Sequence, residues 1–122
     1  MERTDESSRF FVETRWPEEA VAVVRAVGEI DLYTAPQLHE ALACLDTERL
    51  RRLVVDLSEC SFIDSTGLGV LVAARKRLRT DAPPAVVCQA KVREVFLITG
   101  LDRVFALCDT VEEALAVAIA AD

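Results

Sequence analysis

Apolar residues fill nearly every position of the short run Arg52–Leu57, which reads RLVVDL. A strand with one face in water alternates apolar and polar side chains. A strand covered on both faces instead reads as a nearly continuous apolar run. The run therefore predicts a central strand with other elements packed above and below it.

The predicted elements alternate between strands and helices along the chain. Strands are predicted at residues 9–14, 20–27, 52–57, 85–88 and 104–107, and helices at 35–45, 65–79, 91–99 and 110–121. This alternation indicates an α/β fold with about four helices and a mixed, mostly parallel sheet joined by right-handed crossovers. The first two strands are expected to form an antiparallel hairpin at the sheet edge. A turn is predicted at 16–19 because Pro17 disfavours a continuing ladder.

Capping residues occur at three of the predicted helix ends. Thr34 is predicted to be the N-cap of the first helix, with Pro36 in the first turn. Gly100 is predicted to end the third helix as its C-cap. Thr110 and Glu113 have the spacing of a capping box at the start of the fourth helix.

The composition, 52% hydrophobic and 29% charged, is typical of a globular domain. We expect one domain over residues 9–122, preceded by a flexible tail at 1–8. No apolar run reaches the ~18 residues of a membrane span, and the first eight residues contain no apolar secretory stretch. The sequence therefore predicts a cytoplasmic protein, which we expect to be a monomer.

The formal net charge of −7 bears on the kind of partner. An acidic surface repels nucleic acids and anionic lipids, because each phosphate contact needs Lys or Arg. Direct binding to nucleic acid or to a membrane is therefore not expected. A partner that presents basic groups is favoured.

The four cysteines, Cys44, Cys60, Cys88 and Cys108, are widely spaced and form no CxxC pair, and His39 is the sole histidine. Cysteines in this arrangement are expected to act as small apolar packing residues in a reducing compartment. A zinc site or a disulfide framework is the alternative. The sequence predicts no metal and no cofactor.

The segment 58–70, SECSFIDSTGLGV, joins the central strand to the second helix and is the candidate functional site. Asp64 or Ser65 is expected to cap that helix, whose first turn exposes free N–H groups and the positive end of the helix dipole. Gly67 and Gly69 are poor helix formers, each costing about 1 kcal/mol relative to Ala. They suggest a close approach to the backbone, by another protein or by a neighbouring strand.

Ser65 does not have the surroundings of a catalytic serine. A serine nucleophile needs a base, and His39 is predicted to face solvent on the first helix. The chain contains no GxSxG elbow, no P-loop lysine and no GxGxxG after its first strand. The sequence therefore predicts a binding protein and not an enzyme.

Four stretches in order resemble the STAS domains, the family of the anti-sigma factor antagonists. They cover nearly the whole chain: Gly28–Asp31 with Thr34, Ala35 and Leu38; Leu53–Leu57; Phe62–Val70; and Ile98–Asp102 with Val104, Phe105 and Glu112–Leu115. The resemblance implies the STAS fold. It also implies a protein that binds an anti-sigma factor and thereby releases the sigma factor.

The resemblance further implies a phosphorylation switch. The serine directly after the aspartate, here Ser65, would be phosphorylated by an anti-sigma factor that is also a serine kinase, and a PP2C-type phosphatase would reverse the modification. Asp31 matches the family's acidic contact to the partner. The expected partner surface comprises Asp31, Asp64, Ser65, Thr66, Gly67 and Gly69. The alternative is a STAS adaptor subunit of a transporter or of a stress-sensing complex, without sigma-factor control.

Overall fold

The computed structural model describes residues 9–79 and 82–120, so the tail predicted at 1–8 lies outside the described residues. The described chain contains six strands, four α-helices and a 3₁₀ turn at Leu101–Arg103. The strands are β1 (Phe11–Glu18), β2 (Val21–Ile30), β3 (Arg52–Leu57), β4 (Cys60–Ile63), β5 (Ala85–Cys88) and β6 (Ala106–Cys108). The helices are α1 (Ala35–Ala43), α2 (Ser65–Arg77), α3 (Ala90–Ile98) and α4 (Val111–Ala120).

The sheet has the strand order β1-β2-β3-β5-β6, and β4 pairs with the end of β2. β1 runs antiparallel to β2, whereas β2, β3, β5 and β6 are parallel to one another. The predicted fold class, with an antiparallel hairpin on a mostly parallel sheet and four helices, is confirmed.

The sheet is covered on both faces, as the apolar run of β3 predicts. Val55 faces a core that also contains buried residues of α1, α2 and α3. Val54 faces a second core, which contains Ala114 and Ala118 of α4. Three helices therefore lie on one face of the sheet and one helix on the other. No helix in the described ranges is both long enough and apolar enough to cross a lipid bilayer.

The turn predicted at 16–19 is wrong, because β1 continues through Pro17 to Glu18. β1 is the outermost strand of the sheet, and proline is tolerated at an edge, where its missing N–H leaves no neighbouring strand without a partner. The pairing register with β2 shifts between Arg15 and Glu18, the stretch that contains Pro17. The tight turn between β1 and β2 lies at residues 19–20, after the end of β1.

Strand β4 lies where the sequence predicts only a loop. Tertiary contacts hold the turn that precedes it: the Glu59 carbonyl accepts from Gly28 N at 3.1 Å, and Gln89 Nε2 donates to the Ser58 carbonyl at 2.7 Å. β2 correspondingly extends to Ile30, three residues beyond its predicted end, because its last residues pair with β4. These partners come from distant parts of the chain, so local sequence pattern does not reveal the strand.

The C-terminal third follows the prediction with small shifts in its boundaries. Gly100 adopts φ = 75° after α3, the left-handed conformation that favours glycine at a helix end. Thr110 Oγ1 accepts from Glu113 N at 3.1 Å, so the predicted cap of α4 is present. The last strand lies at Ala106–Cys108 and not at 104–107, because the 3₁₀ turn occupies the residues before it.

The contrast between Phe96 and Leu97 tests how α3 packs on the sheet. Phe96 is fully buried and meets Phe105 edge to face, with ring centroids 5.8 Å apart, whereas Leu97 is 51% exposed. We expect Phe96→Ala to lower the free energy of unfolding by about 3–5 kcal/mol through the cavity that it leaves. Leu97→Ala should change it by less than about 1 kcal/mol. Denaturant unfolding measures both, and equal losses would contradict this packing.

Candidate functional site

The register of β2 and β4 brings two acidic residues to the same edge of the sheet. Ile30 pairs with Ile63 in the parallel ladder, and Asp64 N donates to the Ile30 carbonyl at 3.1 Å. Asp31 and Asp64 directly follow these paired residues. The loop before α1 and the start of α2 therefore begin side by side, as the expected partner surface requires.

Asp64, and not Ser65, caps α2. Asp64 has an extended backbone, and its Oδ1 accepts from Gly67 N at 3.1 Å. Ser65 is the first residue of the helix and is exposed, as is Thr66 after it. The hydroxyl of Ser65 therefore lies at the exposed N-terminus of the helix, and it is not the group that caps the helix.

The two glycines of α2 have different roles. A Cβ on Gly67 would lie 2.5 Å from Ile30 Cγ2 and 2.8 Å from Ile63 Cγ1, so this buried glycine lets the helix start pack against β2 and β4. A Cβ on Gly69 would meet no atom within 4 Å. Of the two explanations that the sequence left open, the close approach at Gly67 is by neighbouring strands. Gly69 is exposed and remains available to a partner.

Asp31 organises the turn that leads into α1. Its Oδ1 accepts from Tyr33 N at 2.9 Å and from Thr34 N at 3.1 Å. Thr34 occupies the N-cap position of α1, as predicted, but its side chain makes no capping hydrogen bond to the helix. Its hydroxyl instead donates to the Glu29 carbonyl at 2.7 Å and accepts from Asp31 N at 2.9 Å. Both side chains therefore fix the turn between Asp31 and Thr34.

A shallow, mostly apolar groove runs between α1 and α2 beside this turn. It is lined by Leu32, Ala35, Pro36, His39, Thr66 and Val70. His39 is exposed, as predicted, on the surface of α1. Sequence reasoning missed the two exposed apolar residues of the turn, Leu32 and Tyr33, because no periodic pattern marks them.

Three of the four cysteines pack in the two cores, and the fourth, Cys44, is exposed. Burial raises the pKa of the Cys60 and Cys108 thiols above their ordinary value, and it raises that of Cys88 to about 11. Thiols of this kind stay protonated and unreactive near neutral pH. Within the described ranges, no cluster of His, Cys, Asp and Glu side chains could hold a metal ion.

Residues 15–114 match the family described as the STAS domain. The chain therefore belongs to the STAS domain family, and the resemblance seen in the sequence is confirmed.

Relatives of the chain carry names from the same family. The anti-sigma-F factor antagonist RsfB of Mycobacterium tuberculosis (strain ATCC 25618 / H37Rv) is 38% identical over 96 residues, which cover 78% of this chain and 79% of that protein. The anti-sigma-B factor antagonist of Listeria monocytogenes serovar 1/2a is 46% identical over 76 residues, covering 61% of this chain and 67% of the relative.

Solved structures share the fold. A crystal structure of an anti-sigma factor antagonist from Mycobacterium paratuberculosis aligns with a TM-score of 0.84 at 31% identity, covering 95% of this chain and 99% of that one. The anti-sigma factor antagonist SpoIIAA in its unphosphorylated form aligns with a TM-score of 0.64 at 21% identity, covering 85% and 92%. The second likeness concerns the fold alone.

Matched substitutions at the two glycines test the packing of α2. Gly67→Ala should lower the free energy of unfolding by about 1–3 kcal/mol, because the new methyl group overlaps two branched side chains. Gly69→Ala should raise it by up to about 1 kcal/mol, because alanine favours the helix and the space is open. Thermal and denaturant unfolding measure both changes. A neutral Gly67→Ala would contradict the close contact with Ile30 and Ile63.

Thiol labelling tests the burial of the cysteines. At pH 8 we expect a thiol reagent to modify Cys44 rapidly in the folded protein, while Cys60, Cys88 and Cys108 react only after unfolding. Because burial raises their pKa values, the folded state retains protons that the unfolded state loses. The free energy of unfolding should therefore fall as the pH rises above about 9. Mass spectrometry of labelled peptides identifies the sites, and rapid labelling of Cys88 in the native protein would refute this assignment.

Proposed function

We propose that this protein is an anti-sigma factor antagonist whose binding to an anti-sigma factor is switched off by phosphorylation of Ser65. The observation that carries the proposal is the exposed hydroxyl of Ser65 at the first position of α2, beside the turn of Asp31. The names of the relatives support the same function. Sequestering the anti-sigma factor would release the sigma factor for transcription.

A phosphate on Ser65 would be compatible with the fold. The group adds about −1.5 to −2 charges, which suits the positive end of a helix dipole. The cap supplied by Asp64 uses only the N–H of Gly67 in the first turn, so earlier N–H groups remain for phosphate oxygens. The modification should therefore act on the interface and not on folding.

The same charge would weaken a complex. Asp31 and Asp64 already place negative charge next to Ser65, and the whole chain has a net charge of −7. A partner suited to this surface presents basic and apolar groups, together with acidic groups of its own kinase site. Phosphate would add bulk and would repel the acidic groups of the partner that face Ser65, which costs several kcal/mol of binding.

The proposed partners are an anti-sigma factor with serine kinase activity and a PP2C-type phosphatase that restores the unmodified form. We propose that Asp31, Ser65, Thr66 and Gly69 contact the anti-sigma factor, while Asp64 and Gly67 shape the helix start. The protein would act in the cytoplasm, as a monomeric regulator without catalytic activity of its own.

Variants of Ser65 test this switch against a candidate anti-sigma factor with a kinase domain from the same genome. With ATP, that partner should add one phosphate to the wild-type protein at Ser65 and none to Ser65→Ala. Ser65→Ala should still bind. Ser65→Asp should bind roughly a hundredfold more weakly, with a free energy of unfolding within about 0.5 kcal/mol of the wild type. Mass spectrometry, calorimetric titration and denaturant unfolding provide the readouts.

Thr66→Ala is the matched control, because Thr66 is the neighbouring exposed hydroxyl. It should still accept one phosphate at Ser65. Phosphorylation of Thr66 in place of Ser65, or unfolding of Ser65→Asp, would overturn the switch. Absence of binding to every candidate kinase, combined with stable association with a transporter subunit, would favour the adaptor function.

A further inference from the structure

We propose that Leu32 and Tyr33 form an apolar anchor, which the turn of Asp31 and Thr34 holds beside Ser65 and which inserts into an apolar pocket of the anti-sigma factor. The inference rests on the proposed function and adds the residues that this chain uses to recognise its partner. The pocket it requires is apolar inside and rimmed by Lys or Arg side chains. The term apolar anchor refers to Leu32 and Tyr33 throughout.

The apolar anchor is unusually exposed within the described chain. Tyr33 is 87% exposed and Leu32 64%, and no other large apolar side chain of that part is more exposed than Tyr33. The other exposed aromatic residues lie against other parts of the protein. Phe11 lies under the guanidinium of Arg25, and Phe62 lines a groove together with residues of α3. Tyrosine with its ring in solvent is among the residue types that dominate binding energy at interfaces.

The turn that carries the apolar anchor is fixed before any partner binds. Asp31 Oδ1 accepts from two backbone N–H groups of the turn, and the Thr34 hydroxyl bonds to Asp31 N and to the Glu29 carbonyl. A preorganised loop loses less conformational entropy on binding than a mobile one. Both apolar side chains remain exposed to solvent in the turn that these hydrogen bonds fix.

One residue of the apolar anchor, Leu32, lines a groove that reaches the start of α2. Leu32 and Thr66 line the same groove between α1 and α2, and Thr66 directly follows Ser65. A partner that covers Leu32 and fills this groove therefore also contacts Thr66, the residue that follows Ser65. A phosphate on Ser65 would therefore lie next to a contact whose affinity comes largely from apolar burial.

The charges around the apolar anchor decide between possible occupants. Asp31 and Asp64 lie at the adjacent strand ends, and Glu29 beside them is exposed. A second copy of this chain would bring the same carboxylates together, and an anionic membrane would repel them. A protein pocket rimmed by basic side chains complements both the apolar residues and the acidic groups.

The experiment measures the affinity of the same anti-sigma factor kinase for variants of the apolar anchor, without ATP. Leu32→Ala and Tyr33→Ala should each weaken binding by roughly 10- to 100-fold. Tyr33→Phe should recover most of the affinity lost in Tyr33→Ala, because it restores the ring. Ile98→Ala is the control: Ile98 is 77% exposed at the end of α3 and should bind as the wild type does.

Asp31 provides a second comparison. The turn needs only an oxygen that accepts hydrogen bonds at the Oδ1 position, whereas a contact with a basic group of the partner needs the negative charge. Asp31→Asn keeps an oxygen for Tyr33 N and Thr34 N, and it should retain much more affinity than Asp31→Ala. Equal losses in the two variants would show that Asp31 acts through its charge and not by positioning the apolar anchor.

The outcomes separate this inference from the proposed function. If the wild-type protein binds the kinase while Leu32→Ala and Tyr33→Ala bind equally well, the apolar anchor is refuted and the antagonist function stands. If the wild type binds no anti-sigma factor, both fail. Thermal unfolding serves as the folding control, since truncating such exposed side chains should leave the midpoint of each variant close to that of the wild type.

Discussion

The candidate site depends on one close contact, in which the first turn of α2 lies directly against the ends of β2 and β4. Gly67 leaves room there for Ile30 and Ile63, and the ladder between those two isoleucines continues into the hydrogen bond from Asp64 N to the Ile30 carbonyl. A side chain at Gly67 would push the helix away from the strands. Asp31 and Ser65 would then no longer share one surface, although neither residue itself would have changed.

At this contact, one residue caps the helix and its neighbour stays exposed. Asp64 satisfies a free N–H of the helix, which leaves the adjacent Ser65 hydroxyl in solvent. The turn before α1 shows the same arrangement. The side chains of Asp31 and Thr34 fix its backbone, while Leu32 and Tyr33 are exposed to solvent. A rigid backbone that exposes its contact side chains favours a reversible protein interface, because little conformational entropy is lost when the partner binds.

Much of the fold could be predicted because the relevant forces act over short stretches of chain. The apolar run of β3 indicated coverage on both faces, and Gly100 indicated the end of α3. The errors occurred where distant residues decide the conformation. Pro17 stays in β1 because that strand is at the sheet edge, and β4 forms because Gly28 and Gln89 hold the turn before it.

The sequence by itself determined the alternation of strands and helices, the family, and the identity of Ser65 as the residue to examine, since these follow from local pattern and from motif. Only the tertiary structure decided which residue caps α2, and that Gly67 serves packing while Gly69 faces solvent. It also revealed that Leu32 and Tyr33 are exposed and that Leu32 shares a groove with Thr66. The physical reason is that capping, close packing and exposure depend on which backbone atoms and side chains meet across the sheet edge, and residues far apart in the chain supply those neighbours.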